Sequence, residues 1–163
     1  MTQPLHAAAA APAQLAGADL VPGQVVAERE VLFDEQAFRR FAELTGDAHP
    51  VHYDEAYVRA QGLRAPLVHG LLLVAMTALG ATELSPRLHA SMVAMLGTDA
   101  RFLAPAYRGD RLTLRMRVAS VEPKSRNRCV ARFDVELLAA DGSTVATVQH
   151  QFLLRQPLEG VSA

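Results

Sequence analysis

Pro66-Leu67-Val68-His69-Gly70-Leu71-Leu72-Leu73-Val74-Ala75-Met76-Thr77-Ala78-Leu79 is the stretch on which the fold class turns. After the His-Gly pair almost every position is apolar, so the pattern predicts a helix wrapped by protein on most sides. The run is about half the ~18 apolar residues that suggest a membrane span. Downstream the hydrophobic period changes from helical to two. Leu112, Leu114, Met116 and Val118 alternate with Thr113, Arg115, Arg117 and Ala119, and Cys129, Ala131, Phe133, Val135 and Leu137 alternate with polar neighbours. Both read as half-buried strands. Asp141-Gly142 is a hairpin signal, and Ala146, Val148, Phe152 and Leu154 mark the inner face of a last strand.

Upstream, Gln24–Phe33 reads as a first strand. Asp34 is placed to cap a helix carrying Ala37, Phe38, Phe41 and Leu44 at helical spacing, with Gly46 just past its end. Pro50 prevents that helix from continuing through 47–53, and Asp54 can cap a second short one ending near Gly62. One strand, short helices, a buried helix and an antiparallel meander make an α+β fold, with the sheet curled around a long apolar helix.

The 163 residues suit one domain. Residues 1–22 read as a weakly ordered Ala/Pro-rich arm, 23–157 as the domain and 158–163 as a C-terminal tail. Sixteen Lys and Arg against seventeen Asp and Glu argue against a general electrostatic grip on nucleic acid. The single cysteine, Cys129, excludes an internal disulfide framework and a cysteine-rich zinc site. No Lys or Arg precedes Arg29, so the start reads as neither a secretory signal nor a transit peptide. The expectation is a soluble, cytoplasmic protein with no membrane partner.

The strongest chemical constellation is Thr45-Gly46-Asp47-Ala48-His49-Pro50-Val51-His52-Tyr53-Asp54. It sets a carboxylate and two imidazoles in a loop between helices. Asp47 and His52 sharing a water make a general acid/base pair; Asp47 capping backbone amides beside surface histidines is the plainer alternative. Asp47, His49 and His52 as metal ligands is a weaker reading, because Pro50 removes the helix that would put both histidines on one face. His69-Gly70 opens the buried helix, where unpaired amides could stabilise a carbonyl oxygen gaining charge; His69 as a hydrogen-bonded core histidine is the simpler account. Lys124-Ser125-Arg126-Asn127-Arg128 is a basic turn that could meet phosphates or merely be a solvated hairpin tip. His150, on the apolar face of the last strand, reads as a satisfied core histidine. No Walker loop, G-x-G-x-x-G or G-x-S-x-G is present.

Phe41 to Asp54, followed by Pro66-Leu67-Val68-His69-Gly70-Leu71-Leu72, resembles the hydratase motif of MaoC-like proteins, which include the R-specific enoyl-CoA hydratases. Arg101-Phe102-Leu103-Ala104-Pro105 and Gly109-Asp110-Arg111-Leu112 resemble that family's strand and turn segments. The resemblance runs from about Val25 to Arg155. It implies a hot-dog fold, with Asp47 and His52 as the catalytic pair that adds water across the 2,3 double bond of an enoyl-CoA thioester. Asp47 would be the principal acid/base and His52 would position and polarise the water. The Gly70 amide would stabilise the enolate-like oxygen, and His69 and His49 would support substrate binding. Lys124, Arg126 and Arg128 are candidates for the CoA phosphates. The implied chemistry needs no organic cofactor and no metal, and the family pattern implies a homodimer. The same groups could instead serve an acyl-CoA thioesterase or a non-catalytic acyl-CoA-binding partner. Two positions depart from the pattern: His49, where many members have Asn, and Ala78, where some carry a serine in the buried helix.

Overall fold

A computed structural model describes residues 11–156; the first ten residues of the expected arm and the expected tail lie outside them. The described chain begins with segments that lie on the body. Leu15 N–H donates to the Arg87 carbonyl at 2.7 Å, and Leu20 is buried in the core cluster. Gly17 is seated against Cys129 so closely that a Cβ there would lie 2.0 Å from the cysteine sulfur.

Five antiparallel strands follow: β1 (Val25–Leu32), β2 (Met92–Phe102), β3 (Arg111–Lys124), β4 (Arg128–Leu138) and β5 (Thr144–Arg155), ordered β1-β3-β4-β5-β2. Between β1 and β2 come α1 (Glu35–Thr45), α2 (Glu55–Ala60) and α3 (Gly70–Ala75). The period-two expectation holds. Leu114, Met116, Val118, Ala131, Phe133, Leu137 and Leu154 are wholly buried, while Arg115, Arg117, Arg132 and Glu136 form ion pairs on the other face. The Lys124–Arg128 hairpin closes through Arg126 and Asn127, both at positive φ (61° and 53°), the geometry of a tight primed turn. The sequence reading placed the change to period two from Ser91 onwards but gave β2 no bounds, touching it only where Arg101-Phe102 resembles the family's strand segment. The burial of β2 is irregular, with two register shifts against β5, so alternation gives no signal there.

One expectation is corrected. The buried helix is short: α3 has six residues and ends at Ala75 rather than reaching Leu79, and Leu71 faces solvent at 69% exposure. At its end the carbonyls take other partners. Thr77 N–H and Oγ1–H both turn back to Val74 O, at 3.0 and 2.7 Å. Arg29, from β1, donates to Met76 O. An α-helix would give those acceptors to amides four residues on; here a sheet residue and a hydroxyl take them. Leu72 and Leu73 still enter the core.

Candidate active site

The loop after α1 is built by local capping. Asp34 accepts from Ala37 N–H at 2.8 Å to start the helix. Gly46 ends it at φ 76°, a left-handed position, with its N–H on Ala42 O. Asp47 N–H donates to Thr45 Oγ1, whose own proton goes to Phe41 O. Pro50 then opens a single tight turn through His52, a position where its missing N–H costs nothing. His49 caps that turn, its Nδ1 accepting from Val51 N–H at 3.2 Å. Asp54 caps α2 through Ala56 and Tyr57, as expected from sequence.

A strap, residues 66–68, joins this loop to residues 104–108. Leu67 N–H donates to Val51 O, Val68 N–H to Ala106 O and Arg108 N–H to Pro66 O. The strap fixes His52: its Nδ1 lies 2.8 Å from Leu67 O. A carbonyl can only accept, so Nδ1 carries a proton and the lone pair of the neutral ring is at Nε2. The strap also delivers His69, whose ring stacks on His52 with centroids 3.7 Å apart and planes 22° from parallel. His69 is buried among Phe38, Phe41 and Tyr53. Burial holds it below the usual histidine range, His52 reinforces this and Asp47 opposes it. Tyr53 Oη lies 2.8 Å from His69 Nε2 and 3.1 Å from Asp47 O. Burial, then the charge of Asp47, raises its pKa.

One donor atom each of Asp47, His52 and His69 lies within 4.8 Å of the others. The Asp47 and His52 atoms of this trio are close enough to bond one water, whereas His69 Nε2 already faces Tyr53 Oη. The same three groups suit a metal poorly. Zinc bonds imidazole nitrogens at ~2.0–2.1 Å along lone pairs in the ring plane, and the stacked rings lie in nearly parallel planes with centroids 3.7 Å apart, so one ion does not sit in both planes. His49, the other metal candidate, is exposed and spends Nδ1 on its cap.

Gly70 is the first residue of α3, where amides lack intrahelical acceptors. It adjoins an open cavity of about 410 Å³ walled mainly by Leu67, Val68, Leu73, Phe102, Leu103 and Pro105. A Cβ on Gly70 would lie 2.9 Å from the Phe102 ring. Lys124, Arg126 and Arg128 are not brought to this cluster; they close the β3–β4 hairpin at the end of β3 remote from Arg111 and the strap. Ala78 lies beyond the end of α3 and is exposed. His150 is a satisfied core histidine, bonded to Thr77 Oγ1 (2.7 Å) and Thr98 Oγ1 (2.8 Å). Sequence reasoning missed Tyr53, although it lies within the quoted motif. A tyrosine among polar loop residues gives no sign that its hydroxyl reaches a histidine sixteen positions away. It also missed Phe102 as the neighbour of Gly70.

A single antiparallel sheet packed over short helices, with polar groups gathered at the start of the most buried one, is a hot-dog-like α+β arrangement. The family model described as "MaoC like domain" matches residues 18–138. The chain therefore belongs to the MaoC-like family. It is 24% identical over 144 residues to the mitochondrial 3-hydroxyacyl-(acyl-carrier-protein) dehydratase of Arabidopsis thaliana, covering 82% of this chain and 81% of that protein. It is 26% identical over 107 residues to the (R)-specific enoyl-CoA hydratase of Aeromonas caviae, covering 66% of this chain and 75% of that one. The solved MaoC-like dehydratase from Rhodospirillum rubrum shares the fold, with a TM-score of 0.74 at 23% identity over 88% of this chain and 99% of that one.

Proposed function

We propose that this protein is a hydro-lyase that adds water reversibly across the 2,3 double bond of an enoyl-CoA thioester to give 3-hydroxyacyl-CoA. The observation that carries the reading is the spacing of Asp47 and His52, close enough to share one water, with Leu67, whose carbonyl holds the His52 ring, lining an apolar cavity. In hydration, Asp47 removes a proton as the water oxygen bonds to C3. The lone pair of His52 Nε2 accepts the other water proton in a hydrogen bond and orients the attack. Negative charge passes to the thioester oxygen, where the Gly70 amide stabilises it. The enolate then takes a proton at C2 from Asp47, which restores the carboxylate. The apolar cavity suits an acyl chain. No step calls for a metal or an organic cofactor.

The active form is proposed to be a homodimer. Strand β2 is an edge of the sheet, with Met95 and Leu96 exposed, and an unpaired edge of eleven residues is a template for pairing with a second copy. Among the described residues no helix is long and apolar enough to cross a membrane; a cytoplasmic location is part of the proposal.

The test is hydration of crotonyl-CoA, followed as loss of enoyl-thioester absorbance, with Asp47→Asn as control and free thiol measured in parallel. Formation of 3-hydroxyacyl-CoA that disappears in the variant supports the reading. Thiol release without hydration would replace it with a thioesterase. Absence of both, across longer and branched enoyl-CoAs as well, would sink it.

A further inference from the structure

The Tyr53 hydroxyl has one proton and three neighbours. It lies 3.2 Å from Phe38 O, 3.1 Å from Asp47 O and 2.8 Å from His69 Nε2. Both carbonyls can only accept, and a phenol proton given to them leaves the phenol oxygen to accept from His69. His69 is then protonated at Nε2. Its Nδ1, buried and without a hydrogen-bond partner, carries a lone pair rather than a proton. The opposite tautomer leaves a buried Nδ1–H unpaired, a costlier arrangement. The ring so fixed is boxed by Phe38 and Phe41, with centroids at 5.4 and 4.7 Å, and its remaining face carries His52.

We propose that Tyr53 and His69 form a positioning pair beneath the reacting groups, in which Tyr53 ties the Asp47 backbone to a neutral, Nε2-protonated His69 whose ring face seats His52. The inference rests on the hydratase reading and deepens it, since neither residue need touch substrate. Three segments meet at one oxygen: the middle of α1 at Phe38, the loop at Asp47 and the strap's end at His69. Asp47 precedes the Pro50–His52 turn and His52 ends it, in a loop that leaves Asp47 exposed and His52 part-buried. Tyr53 couples the Asp47 carbonyl to the ring under His52 through two contacts at one oxygen. A small misplacement of reacting groups costs large factors in rate while leaving substrate affinity alone.

The experiment combines imidazole ¹⁵N spectroscopy of the full chain with steady-state hydration of crotonyl-CoA. Wild-type His69 is expected as the neutral Nε2–H tautomer at pH 7. Tyr53→Phe keeps the ring and removes one oxygen. It should abolish that tautomer preference and lower kcat on the order of 10- to 100-fold with KM within about twofold. His69→Gln, whose amide nitrogen can stand where Nε2 does, should retain a higher kcat than His69→Asn, whose amide stands at Nδ1. A wild-type His69 protonated at Nδ1 overturns the inference. So does wild-type kcat in Tyr53→Phe, or a rise in KM that accounts for the lost efficiency. If Tyr53→Phe does not fold, equal kcat in the Gln and Asn variants overturns it. Wild-type protein inactive on every enoyl-CoA defeats the hydratase reading instead, and the tautomer in the wild-type spectrum still decides the pair.

Discussion

The imidazoles of His52 and His69, seventeen residues apart, lie face to face with ring centroids 3.7 Å apart. The strap makes this contact: Leu67 pairs with Val51 through its N–H and with His52 through its carbonyl, and two residues later the chain turns His69 under the ring it has just anchored. Two imidazolium ions in that contact would repel, so the buried member is the neutral one. The site thereby separates an accessible imidazole from a sealed one.

Asp47→Asn and His52→Gln should each lower hydration kcat by ~10²–10⁴-fold, the usual size of an acid/base contribution. Asp47 is exposed and His52 only partly buried, so circular dichroism and the urea midpoint should stay near wild type. Near-full activity in both variants would remove the proposed pair.

Gly70→Ala places a methyl group 2.9 Å from the Phe102 ring. Overpacking of this kind costs about 1–3 kcal/mol, but Phe102 is 52% exposed and can swing away. The loss in urea denaturation should therefore fall at the low end, and adding Phe102→Leu should recover it. If stability returns in the double variant while turnover remains low, the defect lies at the Gly70 amide and not in packing.

Stability should fall as the pH is lowered below the ordinary histidine range. Burial depresses the folded-state pKa of both His69 and His150. The unfolded chain therefore takes up these protons first, so the neutral folded rings stabilise fully above the unfolded value near 6.5 and lose that advantage as pH drops towards the folded values. Urea midpoints at pH 7.5 and 5.5 check the sign. Replacing His150 with Gln should flatten the slope, and an unchanged slope would assign it elsewhere.

Thr77→Val should destabilise by about 1–3 kcal/mol, the cost of leaving a buried polar group without its partner. The Thr77 hydroxyl proton goes to Val74 O, so its oxygen accepts from His150 Nε2–H. Valine keeps the shape and removes both bonds. Chemical denaturation gives the loss, and a variant as stable as wild type would show that the 3.2 Å contact from His150 to Thr77 O suffices.

Much of this architecture was legible because its causes are local. Asp34, Gly46 and Asp54 act on amides and dihedrals within four residues of themselves, and each cap stands where the sequence puts it. The inward positions of β3, β4 and β5 follow from alternation, since a pleated strand facing one core leaves no other arrangement. The loop holding Asp47 and His52 was legible for a similar reason: Pro50 allows a turn and forbids a longer helix. Strand β2 was not, because its irregular edge carries no period to read.

The sequence by itself determined the α+β class, the caps, the faces of three strands and the loop in which a carboxylate and an imidazole could meet. Tertiary structure decided the rest. Past the end of α3, Arg29 of the distant strand β1 takes the Met76 carbonyl that a longer helix would use. His69 becomes the floor beneath His52 because the strap pairs with two distant segments. Tyr53 becomes a three-way junction because α1 brings Phe38 O to its hydroxyl. The physical reason is common to all three: a donor or acceptor chooses among every partner the fold brings near, and residues far apart in the chain leave no periodic trace of that choice.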